Sequence, residues 1–125
     1  MDGLEHEAGI ELSTDVPARL PKALFEGRAD AALCPTIDYQ RAPSALVILP
    51  SGCIGSDGPT LTVRVFSRHP FEDLDAVAVD GDSHTSVALL QIVFSELFGR
   101  RPRLATLESG GSPLDARLLI GDKVV

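Results

Sequence analysis

The chain has 125 residues, 44% of them hydrophobic, and a formal net charge of −7 at pH 7. A chain of this length and apolar content is expected to form one ordinary domain with a hydrophobic core, which excludes a disordered tail. The negative charge argues against nucleic acid or an anionic membrane surface as a partner, because both require a basic face. An anionic ligand would have to be held by local hydrogen-bond donors.

The two cysteines, Cys34 and Cys53, lie in apolar, strand-like surroundings without CxxC spacing or a neighbouring histidine. We expect buried free thiols in a reducing compartment and no metal site. The acidic start of the chain lacks the features of a secretory signal, and no apolar run reaches membrane-spanning length. The sequence therefore predicts a cytoplasmic protein.

The first half of the chain is predicted to alternate helices with apolar strands. Pro17 in a first turn and Gly27 after a last turn bound a helix over roughly 16–26. Apolar runs at 29–34 and 45–50 predict buried strands, and a helical turn at 36–40 follows the first of them. Thr36 opens this turn at the carboxyl end of a strand, where open α/β sheets bind ligands.

The second half is predicted to contain four strands and one long helix. Alternation at 61–67 indicates a strand with one polar face, and the helix is expected at about 84–98, ended by Gly99 and Pro102. Its apolar stripe is expected to face the core: Leu90, Val93, Phe94 and Leu97. Further strands are expected at 76–79, near 103–107 and at 116–120, the last preceded by a Ser/Gly loop at 109–113.

The loop at 80–86, Asp-Gly-Asp-Ser-His-Thr-Ser, joins the strand at 76–79 directly to the long helix. The first N–H groups of a helix have no acceptor within it, so such a loop can hold a carboxylate or a phosphate. The alternative is simple capping by Ser83 or Thr85, because Ser and Thr are favoured wherever a helix begins.

Six segments of the chain resemble the menaquinone-pathway proteins of the futalosine route, and they occur in the same order as in those proteins. Within that family they resemble chorismate dehydratase more than its sibling, dihydroxynaphthoate synthase. The segments are Val16-Pro17, Gly27 to Tyr39, Ile54 to Pro59, Val65 to Arg68, Asp82 to Leu90, and Leu118 to Asp122.

The resemblance implies an α/β protein with the two-lobed fold of periplasmic-type binding proteins, which closes on its substrate. Residues 1–67 would form the first lobe and residues 68–125 the start of the second. Family members usually open with a strand ending in Tyr-Leu-Asn and continue well beyond an Ile-Gly-Asp segment. The resemblance therefore implies a chain truncated at both ends, and we expect it to turn over substrate poorly.

The resemblance also implies an activity and a site. Family members convert chorismate to 3-[(1-carboxyvinyl)oxy]benzoate and water, a hydro-lyase reaction that requires neither metal nor organic cofactor. Ser86 would be the catalytic residue in direct contact with substrate. The substrate-binding residues would be Thr36 and Ser56 on one lobe and Ser83, His84, Thr85 and Ser86 on the other.

The proton acceptor is left open by the sequence. His84 lies in the right loop, but a solvent-facing loop histidine is the favoured interpretation, and Asp57 is expected to stabilise its own Asp-Gly turn. Arg64 and Arg68 are candidates to meet a carboxylate, although arginines on the polar face of a strand are usually solvated. The two other histidines, His6 and His69, are expected at the surface.

Two rival functions from other classes remain. The same fold captures carboxylates without altering them, so a solute-binding protein is one alternative. The other is an inactive half-protein whose exposed sheet edge and apolar surface recruit another copy, which makes a homodimer possible.

Overall fold

The computed structural model describes residues 3, 6–50, 52–107 and 114–124, so the loop predicted at 109–113 lies outside the described residues. Three α-helices and four strands are formed among the described residues, as predicted for an α/β protein. The helices are α1 (Leu20–Phe25), α2 (Thr36–Gln40) and α3 (His84–Phe98). The strands are β1 (Val63–Ser67), β2 (Ala76–Val79), β3 (Arg103–Thr106) and β4 (Ala116–Ile120), and 3₁₀ turns span Phe71–Asp73 and Gly121–Val124.

The four strands form one mixed sheet in the order β1-β4-β2-β3. The inner strand β2 is parallel to β3 and to β4, whereas β1 pairs antiparallel with β4, placing Val65 opposite Leu118. Because β2, β3 and β4 run in the same direction, their carboxyl ends lie at one edge of the sheet. The segments that follow these strands are therefore brought together.

Helix α3 has well-defined signals at both ends. Ser83 is its N-cap, and Gly99 ends it in the left-handed conformation with φ of 65°. The Gly99 N–H donates to the Ser95 carbonyl at 3.0 Å, which satisfies one of the last helical acceptors. A residue with a Cβ is strained at this φ, so glycine fits the position that ends the helix.

The hydrophobic core lies between α3 and the sheet. Phe94 on α3 makes edge-to-face contacts with Phe71 and Phe98, with ring centroids 6.3 and 5.3 Å apart. Of the predicted apolar stripe, Leu90 and Phe94 are buried, whereas Val93 and Leu97 are exposed, Leu97 by 69%. The stripe that meets the sheet is therefore narrower than predicted. The buried cluster comprises Leu74, Val77, Leu90, Phe94, Ala116 and Leu118.

The strands predicted at 29–34 and 45–50 are not formed. Val47 and Ile48 are 86% and 68% exposed, although the pattern predicts burial. An apolar run becomes a strand only where a neighbouring strand accepts its hydrogen bonds, and all four strands of this sheet come from residues 63–120.

Helix α1 is shorter than the predicted span of 16–26, because the chain forms a separate turn before it. The Arg19 N–H donates to the Val16 carbonyl at 2.9 Å, and regular helix begins at Leu20. The strands predicted in the second half and the turn at 36–40 are confirmed within one or two residues.

The two thiols are free, but they are not both buried as predicted. Cys34 is half-buried and Cys53 is exposed. Burial raises the pKa of the Cys34 thiol, and the nearby Asp38 carboxylate raises it further. Among the described residues, none of the helices combines the length and the apolar character needed to traverse a bilayer.

Candidate binding site at the start of helix α3

The loop that precedes α3 lies at the point where the order of the strands reverses. From β2 the chain passes through α3 to β3 on one side, and β4 then pairs with β2 on the other side. In open α/β sheets, ligands bind outside the carboxyl ends of the strands at such a switch point. The loop at 80–83 leaves β2 at this edge.

The first turn of α3 presents several hydrogen-bond donors. The Ser83 hydroxyl oxygen accepts the Ser86 N–H at 3.3 Å and lies 2.7 Å from the Ser86 hydroxyl. The N–H groups of His84 and Thr85 have no acceptor within the helix, as at any helix start. Ser83 therefore caps the helix, as the simpler interpretation predicts, and leaves Thr85 exposed beside it.

Two carboxylates of the loop share one cation. Lys123, in the 3₁₀ turn after β4, places its Nζ 2.6 Å from Asp80 Oδ2 and 3.2 Å from Asp82 Oδ2. Burial acts to raise the pKa of the Asp80 carboxyl, but hydrogen bonds from Lys123 and from the Asp82 N–H outweigh burial and lower it. The hydrogen bonds that Lys123 donates to the Asp80 and Asp82 carboxylates raise the pKa of the lysine. The lysine therefore offsets the negative charge of this loop.

A contact between a histidine and a carboxylate joins α3 to helix α2. The Nδ1 atom of His84 lies 2.9 Å from both carboxylate oxygens of Asp38, which is buried with 7% exposure. The two residues are 46 positions apart, so this contact connects α2, in the first half of the chain, with the helix that packs on the sheet. It brings α2 against the polar start of α3.

The structure groups most of the predicted site residues. Ser83, His84, Thr85 and Ser86 lie together at the α3 start, and Thr36 begins the helix that carries Asp38. Ser56 lies outside the helices and strands, between α2 and β1 in the chain. Among the described residues, its exposed hydroxyl bonds within its own segment, to the Gly58 carbonyl at 2.9 Å.

Two surface hollows lie elsewhere. One, of about 410 Å³, is at the amino ends of β2, β3 and β4, and the other, of about 380 Å³, lies beside α1. Neither is lined by the loop at 80–86. The donors at the α3 start are thus presented beside α2 and not inside either hollow.

The remaining candidates lie at the surface. His6 and His69 are exposed, as predicted, and His69 Nε2 lies 3.4 Å from Asp115 Oδ2. Arg64 is exposed on β1, and Arg68 lies 3.9 Å from the same Asp115 carboxylate. The proposed contact of either arginine with a ligand stays a prediction.

Asp38, Asp80 and Lys123 were not predicted as site residues from the sequence. A signal for Lys123 was available, because the carboxyl ends of parallel strands meet at one edge and Lys123 closely follows β4. For Asp38 the signal was an acidic residue in the same predicted turn as Thr36. The contact partner of Asp38 on α3 required the tertiary structure.

The described residues form an α/β fold with a polar loop at the switch point of its parallel strands, the edge at which open α/β sheets commonly bind ligands. A family model described as menaquinone biosynthesis matches residues 1–124. The chain is also 32% identical over 120 residues to a chorismate dehydratase of Thermus thermophilus, an alignment that covers 94% of this chain. The chain belongs to the menaquinone biosynthesis family. It spans 44% of the length of that relative.

Proposed function

We propose that this chain binds chorismate at the start of α3 and contributes to its dehydration to 3-[(1-carboxyvinyl)oxy]benzoate, a hydro-lyase reaction. The proposal includes the two-lobed arrangement, with residues 1–67 in one lobe and 68–125 in the other. The likeness to a chorismate dehydratase and the membership of the menaquinone biosynthesis family support it.

The observation that carries the proposal is the position of the α3 start. Helical N–H groups and the hydroxyls of Ser83, Thr85 and Ser86 lie at the carboxyl edge of the parallel strands. Neutral donors at a helix start hold a carboxylate through charge-assisted hydrogen bonds and the positive end of the helix dipole. Chorismate carries two carboxylates, one of which would bind here.

The electrostatic balance of the loop is compatible with an anion. Asp80 and Asp82 would repel a carboxylate, but Lys123 contacts both of them at 2.6 and 3.2 Å. The Asp38 carboxylate is turned toward the imidazole of His84. Asp38, Asp80 and Asp82 therefore each have a partner, which reduces their repulsion of an anionic ligand.

The reaction requires the protein mainly to orient the substrate. Loss of a ring hydrogen and of the adjacent hydroxyl makes the ring aromatic, which supplies the thermodynamic drive. The side chains must hold the dianion, exclude water and assist one proton removal and one hydroxide departure. Ser86, half-buried next to the cap, is proposed as the residue in direct contact with the substrate.

Calorimetric titration of the purified chain with chorismate tests the binding step. We expect Ser86→Ala to weaken binding by roughly tenfold or more, as for loss of one hydrogen bond to a charged group. Ser95→Ala, on the same helix but nine positions further along, should bind as the wild type does. Shikimate, which has one carboxylate, should bind more weakly than chorismate.

Mass spectrometry of the same mixtures tests the reaction. Appearance of the aromatic ether at a rate proportional to the amount of chain supports the dehydratase. Saturable binding with chorismate recovered unchanged would instead identify a carboxylate-binding protein. Absence of binding would refute the proposed site.

A further inference from the structure

We propose that the hollow at the amino ends of β2, β3 and β4 binds a free α-amino acid, whose carboxylate pairs with Arg103 and whose ammonium group pairs with Asp73. The hollow has a volume of about 410 Å³, within the range of about 300–1,000 Å³ that is usual for small-molecule sites. None of residues 80–86 lines it, because they follow the carboxyl end of β2 at the opposite edge of the sheet. The inference is therefore independent of the proposed function.

Three strand ends and one turn form the walls of this hollow. Ala76, Arg103 and Ala116 are the first residues of β2, β3 and β4, and Asp73 lies in the 3₁₀ turn that precedes β2. Because β3 and β4 pair with opposite sides of β2, the hollow extends across all three strand ends. The sheet thus brings together residues from three separate parts of the chain.

Backbone hydrogen-bonding groups hold these walls in place. The Arg103 N–H donates to the Asp75 carbonyl at 2.8 Å, which fixes the start of β3 beside the start of β2. Arg100 Nη1 donates to the Glu72 carbonyl at 2.9 Å and fixes the turn that carries Asp73. A site that is ordered before binding loses less conformational entropy when a ligand binds.

Two of the three carboxylates that line the hollow already have cationic partners. Asp75 pairs with Arg100, and Asp115 lies 3.9 Å from Arg68. The Asp115 carboxylate is also 3.4 Å from His69 Nε2. These contacts leave one lining carboxylate and one lining guanidinium to be accounted for.

The remaining groups, Asp73 and Arg103, carry opposite charges. Both residues are exposed, and within the part of the chain that the structure describes neither side chain has a hydrogen-bond or ion-pair partner. They line one hollow without pairing with each other. A guanidinium binds a carboxylate through parallel N–H donors, and a carboxylate accepts from an ammonium group. The two charged groups of an α-amino acid satisfy both side chains at once.

Apolar residues line the rest of the hollow. Leu74 and Ala116 are buried, whereas Ala76 and Leu114 are half-buried. A polar ligand side chain placed against these residues would lose hydration without gaining a hydrogen-bond partner. The hollow therefore favours an amino acid with an aliphatic side chain, for which L-leucine is the probe.

A metal ion fits this hollow less well than an amino acid does. Among residues 3, 6–50, 52–107 and 114–124, no group of three or more His, Cys, Asp or Glu side chains could hold a metal ion. A cation bound at Asp73 would also leave Arg103 without a partner. A ligand that carries both charges accounts for both side chains.

Titration of the nitrogen-15-labelled chain with L-leucine, followed by amide NMR spectra, tests the site. Saturable shifts are expected at the amides of Asp75, Ala76, Arg103 and Ala116, whereas the amide of Thr85 at the opposite edge should not shift. N-acetyl-leucine lacks the ammonium group and leucinamide lacks the carboxylate, so each should bind at least about tenfold more weakly than leucine. Absence of shifts with leucine, or equal binding of the three compounds, would overturn the proposal.

Substitution of the two unpaired residues tests their roles. Arg103→Gln and Asp73→Asn should each weaken leucine binding by about tenfold or more. The matched controls are Arg101→Gln and Glu72→Gln, which alter exposed neighbours that do not line the hollow and should bind leucine as the wild type does. All four positions are exposed, so the midpoints of thermal unfolding should stay close to that of the wild type. Unchanged leucine binding in Arg103→Gln, or equal losses in the controls, would overturn the assignment.

Addition of chorismate separates this hollow from the proposed substrate site. Chorismate has no ammonium group, so the amides of Ala76 and Arg103 should not shift when it is added. Shifts at those amides would show that the hollow accepts carboxylates in general, which would overturn the amino-acid assignment. Failure of the chain to bind chorismate would refute the site at the α3 start, whereas the expected binding of leucine would be unaffected.

Discussion

Lys123 Nζ lies 2.6 Å from the carboxylate of Asp80, which joins the turn after β4 to the end of β2. The contact follows from the parallel pairing of these two strands, because their carboxyl ends lie at the same edge of the sheet. It also positions the loop that leads into α3, since the Asp82 N–H donates to the other oxygen of Asp80 at 3.1 Å. The stability of this edge and the shape of the candidate site are therefore linked.

Replacing Lys123 by methionine should lower the midpoint of thermal unfolding at pH 7. The change retains most of the apolar stem but leaves Asp80, which is 5% exposed, without its cation. The control is Lys22→Met, because Lys22 pairs at 3.6 Å with Glu26 at an exposed position of α1 and should have little effect. Equal midpoints for Lys123→Met and the wild type would contradict the role of this contact.

The contact between Asp80 and Lys123 should stabilise the fold only within a limited pH range. The pKa of Asp80 is lowered in the folded chain, so its contribution is present above the unfolded value of about 3.9 and is lost as the pH falls below it. The pKa of Lys123 is raised, so its contribution is complete below the unfolded value of about 10.4 and is lost as the pH rises through the folded value. Urea unfolding curves should show the Lys123→Met difference between about pH 4 and 10, and the difference should shrink at both extremes.

Two leucines of α3 should respond very differently to truncation. Leu90 is 5% exposed in the core, and Leu90→Ala should lower the free energy of unfolding by about 2–5 kcal/mol through lost burial and a cavity. Leu97 is 69% exposed on the same helix, and Leu97→Ala should change that free energy by less than about 0.5 kcal/mol. Chemical denaturation of both variants measures the difference. A large cost at Leu97 would show that its face is covered in solution.

The second half of the fold was predictable because its signals are local. The strand at 76–79 and the helix beginning at His84 are marked by residue periodicity, a serine cap and a terminal glycine, which act within a few residues. The runs at 29–34 and 45–50 carry equally apolar patterns, yet Val47 is 86% exposed. Whether such a run pairs depends on a neighbouring strand, and a pattern within the run cannot report that partner.

The residues of the candidate site also differ in how well the sequence predicts them. Ser83, Thr85 and Ser86 were predictable because a cap and its first turn are defined by consecutive residues. The role of Asp38 was not, because its partner His84 lies 46 positions away and the contact depends on how α2 packs against α3. The sequence also could not predict the conformation around Ser56, because a glycine-rich segment permits many conformations. The Ser56 hydroxyl donates to the Gly58 carbonyl in its own segment.

Substitution of the N-cap separates helix capping from ligand binding. Ser83→Asp should retain the stability of the chain, because aspartate accepts the Ser86 N–H as serine does and its charge is favourable at a helix start. Ser83→Ala should instead lower the free energy of unfolding by about 1 kcal/mol. If the α3 start holds a carboxylate of chorismate, Ser83→Asp should weaken binding by about tenfold or more through like-charge repulsion, which calorimetry will measure. A stable Ser83→Asp variant that binds chorismate as the wild type does would show that the helix start is a cap and not a carboxylate site.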